Sequence, residues 1–264
     1  MKRRFALFAV AVSTATLLAA GCSFGAFAGL TGLHGSGRKG TESRAVGSFT
    51  KIELRGSVDA EVKVGAAGPL VVEGDDNLLS NVTAEVRGDT LVVSTKEQYT
   101  TSRVGLKVRV STPRLEGLSI EGSADAVVED LKGERFKASI AGSGDMSIHG
   151  GADVFEIVIA GSGDVNASDV TARKVSVHID GSGDVRLVGS AEELAFRTNG
   201  SGDINAGDFK VKKARVELNG SGDATINASE AVEAALNGSG DIFLFGEPPQ
   251  VKTSGHGSGD IVRK

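Results

Sequence analysis

The residue types best able to do chemistry recur at a fixed interval. Asp145, Asp164, Asp184, Asp203, Asp223, Asp241 and Asp260 each close a Gly-Ser-Gly-Asp tetrapeptide. Carboxylate oxygens suit hard cations, and exported β-rolls bind Ca2+ through repeated Gly/Asp motifs. The seven aspartates are therefore candidate Ca2+ ligands, with hydroxyls of the Ser162 type and carbonyls beside them. A looser acidic stripe, Asp153, Asp169, Glu192, Asp208, Glu230 and Glu247, falls 8–11 residues after successive motif starts. Against this reading, the β-roll nonapeptide period and the residue it places between Gly and Asp are both missing, and Ca2+ wants about six to eight oxygens.

The alternative chemistry is that of a corner. Gly142 and Gly144, Gly161 and Gly163, Gly181 and Gly183, and Gly200 and Gly202 open the conformations a Cβ forbids, as do Gly220 and Gly222, Gly238 and Gly240, and Gly257 and Gly259. The Ser and Asp side chains can then bond neighbouring backbone groups. On this reading no cofactor is needed. Its difficulty is electrostatic, because carboxylates stacked about 5 Å apart repel unless N–H groups, water or cations intervene.

Catalysis fits poorly. A motif repeated at every level lacks the asymmetry that an acid/base pair of carboxylates requires. His34, His149, His178 and His256 fall in different registers of the repeat, and no GxSxG, HExxH or P-loop is present. A Gly-x-Gly-x-x-Gly match at Gly35–Gly40 has no strand before it and no helical pattern after it, so it does not read as a phosphate loop. The chain is expected to be non-enzymatic.

One further reactive group stands alone. Cys22, the single cysteine, follows Lys2, Arg3 and Arg4, an apolar run from Phe5 to Ala20, and Gly21. A charged start and a short apolar stretch make an export signal rather than a membrane span. Leu18 to Cys22 resembles the bacterial lipobox, which implies cleavage of residues 1–21 and lipidation of the Cys22 thiol. Loss of Lys2, Arg3 and Arg4 leaves 26 basic against 34 acidic residues, a net charge of −8. No polybasic stripe remains for nucleic acid. Residues 22–45 are Gly/Ser-rich and aperiodic, and read as a flexible tether.

The elements that position the motif follow from its spacing. The chain of 264 residues carries 37 glycines. GSVD at Gly56 and GSAD at Gly122 precede the seven GSGD copies, and the nine motifs together hold 16 of those glycines. From Gly122 onward the starts lie 20, 19, 20, 19, 20, 18 and 19 residues apart. Two, four and six residues before each motif the chain is mostly apolar, as at Phe155, Ile157 and Ile159; four and six after its start, as at Val185 and Leu187, it is apolar again. Period two marks strands with one buried face. A unit near 20 residues cannot bury that face alone, whereas stacked units can.

These features predict an all-β, right-handed β-solenoid of 19–20-residue coils with GSGD corners over 46–264. Residues 116–264 form its regular coils, and 46–115 form wider, irregular ones or a separate β domain. Asn199, Asn219 and Asn237, with Asp180 and His256, precede the motif glycines and should stack as a partial polar ladder. Phe243, Phe245, Pro248 and Pro249 are expected to cap the end of the stack.

The stretch Phe49 to Ser57, Val72 to Leu79, the strand pair around Gly88 to Leu91 and the GSGD ladder resemble the auto-transporter adhesin head GIN domain family, over roughly residues 46–260. The resemblance implies an exported bacterial protein, often a lipoprotein, with a β-helix-like fold. The expected function is a lipid-anchored module of the cell envelope, on its periplasmic or extracellular side, that binds a protein or a glycan. The alternatives are a Ca2+-binding β-roll-like structural protein and an envelope element that docks on a partner. Solvent-facing aromatics for glycan stacking reduce to Tyr99 and Phe243. No feature of the sequence sets an oligomeric state.

Overall fold

The structure, a computed structural model, describes residues 32–102 and 104–264. The export signal, Cys22 and residues 22–31 of the expected tether lie outside the described residues. Gly32–Lys264 form one compact unit.

The strands follow in chain order. The first nine are β1 (Leu33–His34), β2 (Lys39–Arg44), β3 (Lys51–Gly56), β4 (Asp59–Val64), β5 (Leu70–Asp75), β6 (Val82–Arg87), β7 (Thr90–Thr95), β8 (Tyr99–Thr100) and β9 (Lys107–Thr112). Next come β10 (Gly117–Gly122), β11 (Ala126–Leu131), β12 (Arg135–Gly142), β13 (Met146–Gly150), β14 (Val154–Gly161), β15 (Val165–Gly181) and β16 (Val185–Gly200). The last five are β17 (Ile204–Gly220), β18 (Ala224–Leu236), β19 (Ile242–Phe245), β20 (Gln250–Gly255) and β21 (Ile261–Arg263).

They form a β-solenoid of two parallel stacks joined at the motif corners. In the first stack β7, β3, β10, β12 and β14 are followed by the second halves of β15 to β18 and by β20. In the second, β9, β4, β11 and β13 are followed by the first halves of β15 to β18, then β19 and β21. The core lies between the stacks because alternate residues of each strand point there.

Register holds like with like. Phe136, Phe155, Val175, Leu194, Ala214 and Val232 make one buried column, and Ile140, Ile159, Ile179, Thr198, Leu218 and Leu236 another. The rings of Phe136 and Phe155 lie 5.6 Å apart, tilted at 41°. Each fully buried large aliphatic or phenyl side chain contributes about 1.5–3 kcal/mol. A one-residue slip would expose a whole column, so this pattern fixes the register.

The N-terminal part departs from the expected sequence of coils. It belongs to the same unit, but the coil of β3 and β4 is sandwiched between that of β7 and β9 on one side and that of β10 and β11 on the other. Antiparallel strands extend this end: β6 beside β7 in the first stack, β5 and then β2 beside β9 in the second. Leu78 and Leu79, both buried, sit at the 3-10 turn between β5 and β6.

Residues 39–44, read as tether, are strand β2. Their pairing with β5 is backbone chemistry that the polar sequence KGTESR does not advertise. Arg44 anchors the strand by donating to the carbonyls of Val82 (2.6 Å) and Leu79 (2.7 Å). The Gly35–Gly40 segment docks on the turn after β5. Both oxygens of the fully buried Asp75 are occupied there, Oδ1 by the Gly37 N–H (2.8 Å) and Oδ2 by the Ser102 N–H (3.0 Å).

The expected C-terminal cap is also corrected. Phe243 pairs with Val262 in β21, and Pro248 is buried between β19 and β20, so a further coil lies beyond these residues.

Candidate functional site

The corner is built by close approach of backbones. Gly142 has φ +145°, and a Cβ on it would lie 2.0 Å from the Gly122 carbonyl oxygen. Gly202 needs no positive φ, yet a Cβ there would lie 2.2 Å from the Gly183 carbonyl oxygen. Conformational freedom therefore explains the first glycine of the motifs from Gly56 to Gly220, and the tight stacking of coils explains both glycines from Gly142 onward. From Ser123 onward the Ser N–H of each corner donates to a glycine carbonyl one coil back, as Ser201 does to Gly181 at 2.9 Å. In the first two corners Val58 and Ala124 hold the third position and turn into the core, both buried.

The aspartates form one continuous ladder. The Asp164 N–H donates to Asp145 Oδ1 (2.9 Å), Asp184 to Asp164 (2.8 Å), Asp203 to Asp184 (2.9 Å) and Asp223 to Asp203 (2.7 Å). The same bond links Asp241 to Asp223 (2.7 Å) and Asp260 to Asp241 (2.8 Å). It extends to two residues outside the predicted set, with Asp145 donating to Asp125 (2.9 Å) and Asp125 to Asp59 (3.0 Å). The degenerate GSAD and GSVD copies are the signal that places them. A backbone N–H on every ladder carboxylate from Asp59 to Asp241 answers the repulsion that the stack would otherwise suffer. At Asp59 burial is the largest influence and raises the carboxyl pKa, with the Asp125 N–H opposing it.

One carboxylate per level lies on a line, and among the described residues no three His, Cys, Asp or Glu side chains converge to hold an ion. Ca2+ wants about six to eight oxygens, more than the carboxylates of such a line alone bring to a point. In the looser stripe Asp208 pairs with Arg186 (3.3 Å) and Glu192 with Lys212 (3.1 Å). Asp169 and Glu247 instead occupy left-handed positions, at φ +57° and +50°.

The other polar column also bonds along the stack. Asn219 donates through Nδ2 to Asn199 Oδ1 (3.1 Å) and Asn237 to Asn219 (3.0 Å), while Asn199 donates to Asp180. The histidines remain apart, His149 beside Ser168 (2.7 Å) and His178 beside Asp180 (3.0 Å). Neither aromatic is a bare platform. Tyr99 donates its hydroxyl to the Ser57 carbonyl (3.0 Å), and burial raises its pKa. The Lys264 ammonium covers the Phe243 ring at 4.4 Å.

What stays open is the outer face of the strands. A groove of about 710 Å3 crosses the first stack over β15 to β20, walled by charged side chains and floored by Ala195 and Ala231. A smaller hollow of about 270 Å3 continues it and shares Ala195 and Arg215. Sequence reasoning missed this groove, although the small residues at outward positions were its signal. The second stack carries a hollow of about 450 Å3 against Pro69, Val71 and Val127.

Residues 48–248 match the family described as "Putative auto-transporter adhesin, head GIN domain". The chain belongs to this family. Solved structures show the same likeness. A "putative lipid binding protein" of Parabacteroides distasonis is 27% identical with a TM-score of 0.79, over 88% of this chain and 99% of that one. A "putative adhesin" of Bacteroides fragilis is 26% identical with a TM-score of 0.66, over 88% and 100%. A third, from Parabacteroides merdae, shares the fold with a TM-score of 0.81 at 21% identity, over 88% and 98%. No curated protein gives a significant match. The family assignment speaks for a non-enzymatic binding role at the envelope or surface. Among the described residues no helix is long and apolar enough to cross a membrane.

Proposed function

We propose that this head GIN protein is a lipid-anchored, non-enzymatic binding module of the cell envelope. Cys22 carries the anchor, and the solenoid presents its outer strand faces to a protein or glycan. One observation carries the reading. The columns rich in chemical groups bond each other from coil to coil, while the outer face of the first stack keeps an open groove of about 710 Å3. Groups repeated at every level and satisfied by the backbone suit a rigid scaffold, and a long regular face suits an extended ligand.

Two measurements test it. Metabolic labelling with a clickable fatty acid should mark the wild-type protein and leave Cys22→Ser unlabelled; label on the serine variant would remove the anchor. Protease added to intact cells should degrade the protein, and cells lacking it should lose adherence to a glycan or matrix surface. Full protection together with unchanged adherence would defeat the adhesive role.

A further inference from the structure

The groove on the first stack has a charge pattern with its own period. Lys174 on β15 is in register with Glu193 on β16, which is in register with Lys213 on β17. One column across, Arg215 on β17 aligns with Glu233 on β18, and Glu233 with Lys252 on β20. Read level by level, the groove runs cationic at Lys174, acidic at Glu193, cationic at Lys213 and Arg215, acidic at Glu233, cationic at Lys252. Cationic levels therefore recur every second coil, about 9.6 Å apart for a strand spacing of ~4.8 Å.

Four cations face two carboxylates here, on a chain whose net charge is −5. Arg215 and Lys252 share Glu233, at 3.3 and 3.2 Å, which leaves positive charge in excess at the rim. The floor beneath is small, Ala195 and Ala231, so a chain of polar units can lie down into the face.

The form of the groove decides against a peptide. Strands β15 to β18 are bonded on both sides, so no edge is free for strand addition. The lining holds no aromatic side chain of the kind that anchors a protein partner. Recognition must come from side-chain charges and hydrogen bonds at a repeating interval.

We propose that this groove binds an acidic polysaccharide in which carboxylated and neutral sugars alternate, laid along the solenoid axis. Its carboxylates meet the cationic levels at Lys174, Lys213 with Arg215, and Lys252. Hydroxyls of the intervening neutral sugars donate to Glu193 and Glu233. This deepens the binding reading above and rests on it.

The experiment measures affinity of the full chain for three probes. These are hyaluronan oligosaccharides (carboxylate on alternate sugars), polygalacturonate oligosaccharides (carboxylate on every sugar) and dextran (none). Hyaluronan should bind best, polygalacturonate less well because alternate carboxylates meet Glu193 and Glu233, and dextran not at all. Reversing the middle level with Lys213→Glu and Arg215→Glu should weaken hyaluronan binding by about tenfold or more, as loss and repulsion of two charged contacts require. Arg186→Glu, on the other stack, should leave it unchanged. Strand circular dichroism establishes that each variant is folded, and Lys174→Gln, a milder change at one end, should weaken binding in the same direction. Equal affinity for the two acidic probes, or binding untouched by the reversals, would overturn the proposal. Absence of binding to all three would overturn it as well, while protease access and adherence of cells judge the broader reading separately.

Discussion

Asn199 donates its side-chain amide to the carboxylate of Asp180 one coil away, Nδ2 to Oδ1 at 2.7 Å. That bond gives the outer polar ladder a direction. A carboxylate only accepts, so Asn199 must present its N–H2 to Asp180 and its carbonyl to Asn219, and Asn237 repeats the choice above. The Asn199 hydrogen bond is also the largest influence holding the Asp180 carboxyl pKa below its ordinary value, with His178 and Arg197 adding to it.

The sign of the pH effect follows. A carboxyl whose pKa is lowered by folding stabilises the native state above its unfolded value, about 3.9, and loses that contribution as pH falls through the native value. Asn199→Asp replaces the donor by a second carboxylate and should lower the melting temperature at pH 7. The gap from wild type should narrow below about pH 4, where a protonated carboxyl can donate again. Melts at pH 7 and pH 3.5 decide this; a gap that does not change with pH would contradict the ladder.

The aspartate ladder makes a different demand. Asp184 Oδ1 accepts the Asp203 N–H at 2.9 Å, so the needed group is an acceptor rather than a charge. Asp184→Ala should cost about 1 kcal/mol, the usual net value of such a bond at an exposed site, and Asp184→Asn should cost much less. Denaturant unfolding of both variants, with and without Ca2+, provides the check. Equal losses for Ala and Asn, or a Ca2+-dependent rescue of the wild type alone, would favour an ionic role for the ladder.

Most of the regular half was legible because its information is local. Phe155, Ile157 and Ile159 alternate within one strand, and the motif spacing carries that alternation to the next coil. The N-terminal end was not legible in the same way. Nothing in KGTESR marks residues 39–44 as a strand, since antiparallel pairing with β5 is a backbone interaction between distant segments. The placement of β3 and β4 between two later coils is likewise a matter of topology rather than composition. At the functional level the sequence drew attention to the aspartates, each of which, up to Asp241, already accepts a backbone N–H on one carboxylate oxygen. The groove residues were hidden by their alternating sign, which averages to nothing in a composition.

Glycine at the corner gives a sharp steric prediction. Gly202→Ala puts a methyl group where the Gly183 carbonyl oxygen lies 2.2 Å away, and because that atom is backbone no cheap adjustment is open. The expected loss is at least about 1–3 kcal/mol, as for other overpacked interiors. Gly65→Ala, with no atom within 4 Å of the added carbon, should be near neutral. Urea midpoints of the two variants measure the contrast, and similar midpoints would refute the close-stacking account of the motif.

The core contains one group that works against it. Thr198 lies fully buried in the column between Ile179 and Leu218, and its Oγ1 is the only buried side-chain polar atom among the described residues without a hydrogen-bond partner. Each aliphatic neighbour in the column is satisfied by contact alone, whereas the hydroxyl has lost water and gained nothing. Thr198→Val keeps the branched shape and removes the oxygen, so it should stabilise the protein by about 1–2 kcal/mol. For a chain of this size that corresponds to a rise in melting temperature of about 2–4 °C per kcal/mol. Calorimetry of the purified variant reads the shift directly. A fall in melting temperature would mean that the hydroxyl has a partner in solution, such as an internal water, and that the column is wetter than its neighbours imply.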